Sequence, residues 1–175
     1  VYDGAGGSQR RRKIHSDYKS QRKPGKRITR WDAFKDAKEE KDAMKIQFSR
    51  LLDYLDFLPV NVISIDKIEA DDAIASVCEL FKNENVEIII GSLDKDLMQC
   101  LNVKNISMYS TRYKSFTTGD DVYKKFGVHP HQIPDFLALV GDSSDGIPGM
   151  NGIGEKTASA LLQELSLIHI SEPTR

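Results

Sequence analysis

The sequence has few cysteines, no long apolar run and almost no net charge. Its two cysteines, Cys78 and Cys100, lack the spacing and the histidine partners of a zinc site. A disulfide framework is not indicated either, which is typical of a reducing compartment. No stretch approaches the roughly 18 consecutive apolar residues of a membrane helix, and no signal-peptide pattern opens the chain. We therefore expect a cytoplasmic protein with no membrane partner.

Charge is unevenly distributed along the 175 residues, although the formal net charge is −1. The first 50 residues carry 15 Lys or Arg against 7 Asp or Glu, whereas the rest carry 10 basic and 19 acidic side chains. Charge runs are often no more than solvated surfaces. This segregation also suits a protein that binds a polyanion with one region and metal ions with another. The hydrophobic fraction of 39% is enough for the core of one domain with a small appendage.

The spacing of apolar residues predicts an α/β fold. Strand, helix and strand between residues 60 and 90 form a βαβ unit, which predicts a parallel sheet. A helix over about 31–58 carries an apolar stripe from Met44 to Leu55, and its charged beginning is expected to project into solvent or to be only partly ordered. The predicted strands cover residues 1–4, 60–65, 86–90 and 106–109, and a further helix covers 70–82.

Glycine and proline divide the last third of the chain into a helical module. We place the boundary between an α/β core over residues 1–113 and this module over 114–165. The segment from Gly149 to Ala158 predicts a tight glycine turn followed by a helix that starts near Glu155. Open N–H groups at that helix start, together with Lys156, suit a backbone phosphate, although an ordinary helical hairpin would explain the same pattern.

Acidic residues follow predicted strands, open a predicted helix or lie in a glycine-rich loop in separate parts of the chain. The carboxyl ends of parallel strands share one edge of a sheet, so Asp3 and Asp94 are expected at that edge, and we expect the acids to converge on the crevice there. Taken singly, each group is better explained as a helix cap, a turn or a loop. The residues are Asp3, Glu69, Asp71, Asp72, Asp94, Asp96, Asp142 and Asp145.

Convergence of so many carboxylates has an electrostatic cost that cations would relieve. Two carboxylates about 6 Å apart repel by roughly 3 kcal/mol at an effective dielectric constant near 20. Several such pairs would exceed the usual stability margin of about 5–15 kcal/mol. Carboxylate oxygens select hard ions, so the sequence predicts Mg²⁺ or Mn²⁺, and a pair of such ions is typical of phosphodiester cleavage.

Taken together, the motifs resemble the 5′→3′ exonuclease and flap endonuclease family, in particular the N-terminal nuclease domain of bacterial DNA polymerase I and its phage relatives. The resemblance covers the chain to about Leu165. The motifs that carry it are Val1-Tyr2-Asp3-Gly4, Asp17-Tyr18-Lys19 with Arg22, Glu69-Ala70-Asp71-Asp72, Ser92 with Asp94-Lys95-Asp96-Leu97, Gly141-Asp142 with Ser144-Asp145, and Gly152-Ile153-Gly154-Glu155-Lys156-Thr157-Ala158.

The resemblance implies a PIN-like nuclease core, a helical arch over about residues 23–44 and a helix–three-turn–helix module, which often holds K⁺. It implies in-line attack by metal-activated water that leaves a 5′-phosphate, with Lys19, Arg22, Asp71 and Asp94 as catalytic residues. Asp3, Glu69, Asp71 and Asp72 would serve one metal site, and Asp94, Asp96, Asp142 and Asp145 the other. DNA contacts would come from Arg10, Arg11, Tyr18, Lys19, Arg22, Lys26, Arg27, Gly152, Gly154, Lys156 and Thr157.

The implied substrates are DNA with 5′ single-stranded flaps or ends and RNA–DNA primers, and a monomer is expected. Three features depart from the family pattern. The family's first strand would lie upstream of Val1, Gly146 replaces the usual Asn, and residues 166–175 look like translated adapter sequence. We therefore interpret the chain as a truncated fragment with a non-family tail and hypothesise weak activity or none.

Two alternatives remain open at the level of sequence. Asp94 and Asp96 after an apolar strand also suit an aspartate-nucleophile phosphatase, but that class expects Thr or Val at the position of Met98. A non-catalytic DNA-binding module would use the basic segment and the glycine turn, yet it gives no reason for the acidic residues.

Overall fold

The computed structural model describes residues 1–20, 34–143 and 145–171, with side chains to residue 165. Two compact units are present, one formed by residues 1–22 and 64–175 and the other by 23–63. The helices of the larger unit are α1 (Gln9–Ile14), α3 (Ala70–Phe81), α4 (Gly119–Phe126), α5 (Ile133–Val140) and α6 (Glu155–Ser171), with 3₁₀ helices at Asp96–Asn102 and Pro130–Gln132. The smaller unit contains α2 (Ala37–Leu55).

The sheet of the larger unit is mixed. Strand β1 (Ile88–Gly91) pairs in parallel with β2 (Ile106–Ser110), and β3 (Ser115–Thr117) pairs with β2 in the antiparallel sense. A second, two-stranded antiparallel sheet consists of β4 (Gly141–Asp142) and β5 (Ile147–Pro148). The prediction of an α/β fold with parallel strands is confirmed.

The core lies between this sheet and the helices that follow it. Alternate residues of β1 and β2, including Ile90, Ile106 and Met108, are buried because strand side chains alternate between faces. They join Leu97 of the first 3₁₀ helix and Phe136 of α5 in one apolar cluster. The carboxyl end of β1 and the start of the 3₁₀ helix are thereby held against the core.

Two predicted strands do not form. Residues 1–4 are not extended into a ladder, because their backbone pairs with the loop before α3: Gly4 N–H donates to the Ile68 carbonyl at 3.1 Å. A side chain at Gly4 would lie 1.7 Å from the Ile65 carbonyl oxygen, so only glycine permits this approach. Residues 60–65 are also irregular, and Val60 and Ile65 are about half exposed. A parallel pair of strands therefore exists, but it joins β1 to β2 and not residues 60–65 to β1 as the predicted βαβ unit requires.

The helix predictions differ mainly in their ends. Helix α3 matches its predicted range closely, and α6 begins at Glu155 as predicted but continues past Leu165 to Ser171. Helix α2 begins at Ala37, where the Asp36 carboxylate accepts hydrogen bonds from two backbone N–H groups, so its charged first turns are helical. The predicted start at residue 31 lies outside the described residues.

The predicted boundary between residues 113 and 114 falls between β2 and β3, which pair with each other, and it stays a prediction. Among the described residues, none of the helices combines the length and the apolar character needed to cross a bilayer.

Candidate active site

The amino end of α3 places three carboxylates side by side. Glu69 occupies the cap position with extended backbone angles, and Asp71 and Asp72 lie in the first turn. A fourth carboxylate reaches this end from the start of the chain, because Asp3 Oδ1 accepts a hydrogen bond from the Ala70 N–H at 2.8 Å. Acidic side chains are favoured here by the positive end of the helix dipole.

Glu69 is surrounded by donors. It is only 2% exposed, and its two carboxylate oxygens accept from Lys19 Nζ at 2.7 Å, from the Tyr18 hydroxyl at 3.2 Å and from the Arg11 guanidinium. A buried carboxylate is tolerated only where cations and hydrogen bonds replace water. In this arrangement the Glu69 oxygens are engaged by the protein itself.

Asp72 shares one of these cations. Its carboxylate accepts two hydrogen bonds from the Arg11 guanidinium, at 3.0 and 2.7 Å, in the forked geometry that matches a carboxylate. These bonds from Arg11 hold the pKa of Asp72 below its ordinary value, and the same contact raises the pKa of Arg11. Glu69 and Asp72 therefore form a cation-paired group.

Five other carboxylates form a second group, which we call the acid cluster: Asp71, Asp94, Asp96, Asp142 and Asp145. Asp94 follows β1, Asp96 opens the first 3₁₀ helix, Asp142 ends β4, and Asp145 lies in the connection to β5, 6% exposed. Asp96, Asp142 and Asp145 line one cavity of about 260 Å³ together with apolar residues of α5.

The charges of the acid cluster act on one another. Burial raises the pKa of Asp96 to about 6, and the charges of Asp94, Asp142, Asp145 and Asp71 add to the effect. Burial also raises the pKa of Asp71, with further contributions from Asp94 and Asp3. Acids from four distant chain segments are thus within electrostatic reach of one another. Such mutual effects are a marker of functional sites.

The acid cluster has the donor chemistry of a divalent-ion site. Its side chains offer carboxylate oxygens, which are the ligands that Mg²⁺ and Mn²⁺ prefer. Within the described ranges, no three Asp, Glu, His or Cys side chains are already arranged around one ion position. The chemical type of these donors fits the metal. Their side chains would have to rotate to close a coordination shell around an ion.

Lys19 connects the two groups. Its backbone is left-handed, with φ of 58°, and its N–H donates to the Asp145 carbonyl at 3.0 Å. Burial opposes the charge of Lys19, but hydrogen bonds to Glu69 and Tyr18 outweigh it and raise the pKa of the ammonium group. Lys19 therefore stays positively charged beside both the cation-paired group and the acid cluster.

The predicted DNA contacts are distributed over several places. Arg10 is exposed on α1, whereas Arg11 and Tyr18 are directed at Glu69. Gly152, Gly154, Lys156 and Thr157 are exposed around the start of α6, and a side chain at either glycine would meet nothing within 4 Å. A phosphate could approach there freely. Arg22, Lys26 and Arg27 lie outside the described residues, and DNA contact by the whole set stays a prediction.

The sequence patterns missed the partners of Glu69. Glu69 and Asp72 are predicted as metal ligands and Arg11 as a DNA contact, but the structure pairs them with one another. The sequence feature that could have indicated this pairing is the basic run at residues 10–13, because adjacent cations can neutralise carboxylates as well as phosphates.

Two family models match this chain. A family model described as "5'-3' exonuclease, N-terminal resolvase-like domain" matches residues 1–127, and one described as "5'-3' exonuclease, C-terminal SAM fold" matches residues 128–170. The two models meet beyond the predicted boundary at residue 113, and the second extends beyond Leu165.

Curated relatives carry matching names. A 5'-3' exonuclease of Aquifex aeolicus is 35% identical over 164 residues, covering 94% of this chain and 51% of the relative. A DNA polymerase I of Caldicellulosiruptor bescii is 35% identical over 166 residues, covering 91% of this chain and 18% of the relative. The chain thus spans about half the length of the Aquifex protein.

Solved structures share the fold. The T5 5'-exonuclease with bound divalent metal ions (zinc) has a TM-score of 0.69 at 24% identity, covering 99% of this chain and 64% of that one. A bacteriophage T5 flap endonuclease in a pseudo-enzyme-product complex with DNA and metal ions has a TM-score of 0.70 at 23% identity, covering 99% and 63%.

Proposed function

Because the chain belongs to the 5'-3' exonuclease family, we propose that it takes part in metal-dependent hydrolysis of DNA phosphodiesters from 5′ ends and 5′ flaps. The observation that carries the proposal is the acid cluster. Burial, followed by the charges of carboxylates from four chain segments when Asp3 is counted, raises the pKa values of Asp71 and Asp96. A purely structural or DNA-binding role does not require this cost. The negative charge of these carboxylates would instead serve to bind divalent ions beside a phosphodiester.

The proposed metal ligands are the members of the acid cluster, with Asp3 at the edge of the site. Bound divalent ions supply charge neutralisation at the scissile phosphate and activation of the attacking water. Glu69 and Asp72 would instead hold the cations, because their oxygens are occupied by Arg11, Lys19 and Tyr18. This role for Glu69 and Asp72 differs from direct metal binding and is part of the proposal.

Lys19 is the protein cation best placed to stabilise negative charge during the reaction. Its side chain is 14% exposed, its ammonium group is fixed by Glu69, and its backbone N–H donates to the Asp145 carbonyl. A fixed cation at a reacting phosphate acts without reorganising, which is the main source of electrostatic catalysis. We propose that Lys19, with Arg22, steadies the scissile phosphate, while Asp71 and Asp94 are the acids on which the reaction most depends.

The finer details belong to the same proposal. They are the use of two ions, Mg²⁺ or Mn²⁺ as the metal, K⁺ at the start of α6, RNA–DNA primers as additional substrates, a monomeric state and a cytoplasmic location.

The proposal is tested by incubating the chain with a 5′-labelled flap DNA in Mg²⁺, in Mn²⁺ and in EDTA. We expect slow, metal-dependent release of 5′-phosphorylated products, and we expect Asp71→Asn with Asp94→Asn to abolish it. Asp53→Asn makes the same chemical change on the exposed surface of α2 and should act like the parent chain.

Calorimetric titration of Mn²⁺ provides a second readout that does not depend on turnover. The parent chain should bind the ion and the double variant should not. Release of inorganic phosphate alone would support the phosphatase alternative. DNA binding with neither ion binding nor cleavage would support a DNA-binding module and would refute the proposal.

A further inference from the structure

A second concave site lies away from the acid cluster. A cavity of about 640 Å³ is bounded by the end of the first 3₁₀ helix, by α4 and by the turn that follows α4. Its lining includes Asn102, Lys104, Asp120, Tyr123, Lys124 and His129.

Two exposed rings, Tyr123 and His129, line this cavity, and a third, His131, stacks on His129 beside it. Tyr123 stacks on His129 with a centroid separation of 4.7 Å and an interplanar angle of 28°, and His129 stacks on His131 at 5.8 Å and 6°. Tyr123 is 44% exposed, so the stack ends in a ring that water can reach. Exposed ring faces of this kind are surfaces on which nucleobases stack.

Cations and hydrogen-bonding groups accompany the rings. Lys104 and Lys124 are exposed at the cavity. Within the described part of the chain, Lys124 forms one ion pair, a surface contact with Asp121 at 3.6 Å. Surface pairs of this kind are weak enough for a phosphate to displace them. The Asn102 amide and the Asp120 carboxylate add donors and acceptors that suit the edge of a base.

The cavity is separate from the acid cluster. The first 3₁₀ helix has Asp96 at one end, in the acid cluster, and Asn102 at the other, in this cavity. At about 2.0 Å rise per residue, those ends are roughly 12 Å apart. The linings of this cavity and of the 260 Å³ cavity share no residue. A ligand here would therefore leave the acid cluster accessible.

We propose that this cavity binds one nucleotide unit, with the base stacked on Tyr123 and its phosphate between Lys104 and Lys124. Rings beside two lysines match the two chemical parts of a nucleotide, whereas a sugar or a peptide would not require both. The site goes beyond the proposed hydrolysis, since it needs no metal ion and none of the carboxylates of the acid cluster. Its ligand would be either a free nucleotide or a nucleotide within a single strand.

The test is the binding of a fluorescent single-stranded thymidine 20-mer, measured by anisotropy in EDTA so that cleavage cannot interfere. We expect Tyr123→Ala to weaken binding about tenfold and Tyr123→Phe, which keeps a ring, to bind like the parent chain. Lys124→Ala should weaken binding severalfold. Lys125→Ala is the matched control, because it removes the same charge from the neighbouring position of α4, and Lys125 does not line the cavity.

The source of the nucleotide is settled by following the His129 and His131 ring protons by NMR during titration with dAMP and with the 20-mer. Shifts with both ligands indicate a site for a free nucleotide, and shifts with the 20-mer alone indicate a site for a strand; either result supports the proposal. Unchanged affinity in Tyr123→Ala and in the Lys104→Ala/Lys124→Ala double variant, with unmoved histidine signals, would overturn it. That outcome would leave the proposed cleavage at the acid cluster unaffected, because cleavage is measured in a separate assay.

Discussion

Asp71 and Asp72 are neighbours in the sequence, but they belong to groups with opposite electrostatics. A helix rotates about 100° per residue, so one carboxylate faces the acid cluster and the other faces Arg11. The pKa of Asp71 is raised, first by burial and then by Asp94, and the pKa of Asp72 is lowered by its hydrogen bonds to Arg11. The protein thus neutralises the cation-paired group itself, whereas in the acid cluster burial and neighbouring carboxylates raise the pKa values of Asp71 and Asp96.

The largest expected effect is on cleavage and separates these two neighbours. Asp71→Asn should lower the single-turnover cleavage rate in Mg²⁺ about 1000-fold, the upper range for one electrostatic group at a reacting centre. Asp72→Asn should lower it much less, because Asp72 is engaged by Arg11. Equal losses in both variants would mean that the two groups act as one site.

Glu69→Gln should cause the largest change in stability. Removing this buried charge leaves Arg11 and Lys19 without their shared partner, and we expect a loss of about 3 kcal/mol in the free energy of unfolding. Urea denaturation measures it. Glu79→Gln is the matched control, since Glu79 lies on the same helix in an exposed ion pair with Lys82 and should cost less than about 1 kcal/mol.

In the acid cluster the same kind of substitution should have the opposite sign. The pKa of Asp96 is raised to about 6, so its protonation stabilises the fold at acidic pH, and that contribution is lost as the pH rises through 6. In EDTA at pH 8, Asp96→Asn should therefore stabilise the chain by about 0.5–2 kcal/mol, with little change at about pH 3.5, below the ordinary Asp pKa of 3.8. A destabilised variant at pH 8 would contradict this description of the acid cluster.

The smallest expected effect concerns the geometry of the cation. Arg11→Lys keeps the charge beside Glu69 but loses the forked contact with Asp72. We expect a loss of about 0.5–1 kcal/mol in the free energy of unfolding, because the Asp72 contact is partly exposed. A loss comparable to that of Glu69→Gln would show that the fork, as well as the charge, sustains the cation-paired group.

Local sequence patterns predicted the helices and strands whose formation depends mainly on neighbouring residues. The apolar spacing of α3 and the β-branched run of β1 are read directly from neighbouring residues. Helix α3 forms where predicted, and β1 overlaps its predicted range of 86–90 but begins two residues later. Residues 60–65 have a similar apolar content but no ladder, because a strand also needs a partner, which is a non-local property.

The site divides in the same way. The position of Asp94 after a strand predicted that it lies at the carboxyl edge of the sheet. The structure places both Asp94 and Asp142 within electrostatic reach of Asp96. The pairing of Arg11 with Glu69 joins residues 58 positions apart in sequence. No periodicity could distinguish Arg11 from Arg10 or Arg12 as the partner, because that choice depends on which side of α1 faces α3.

The left-handed backbone of Lys19 also bears on how this site could be engineered. The N–H of Lys19 donates to the Asp145 carbonyl, and a His15 ring nitrogen lies 3.3 Å from the Gly146 carbonyl, so both links use main-chain atoms of the connection between β4 and β5. A library that varies side chains there would leave these main-chain acceptors in place. That connection is accordingly a suitable segment in which to search for altered ion preference by directed evolution.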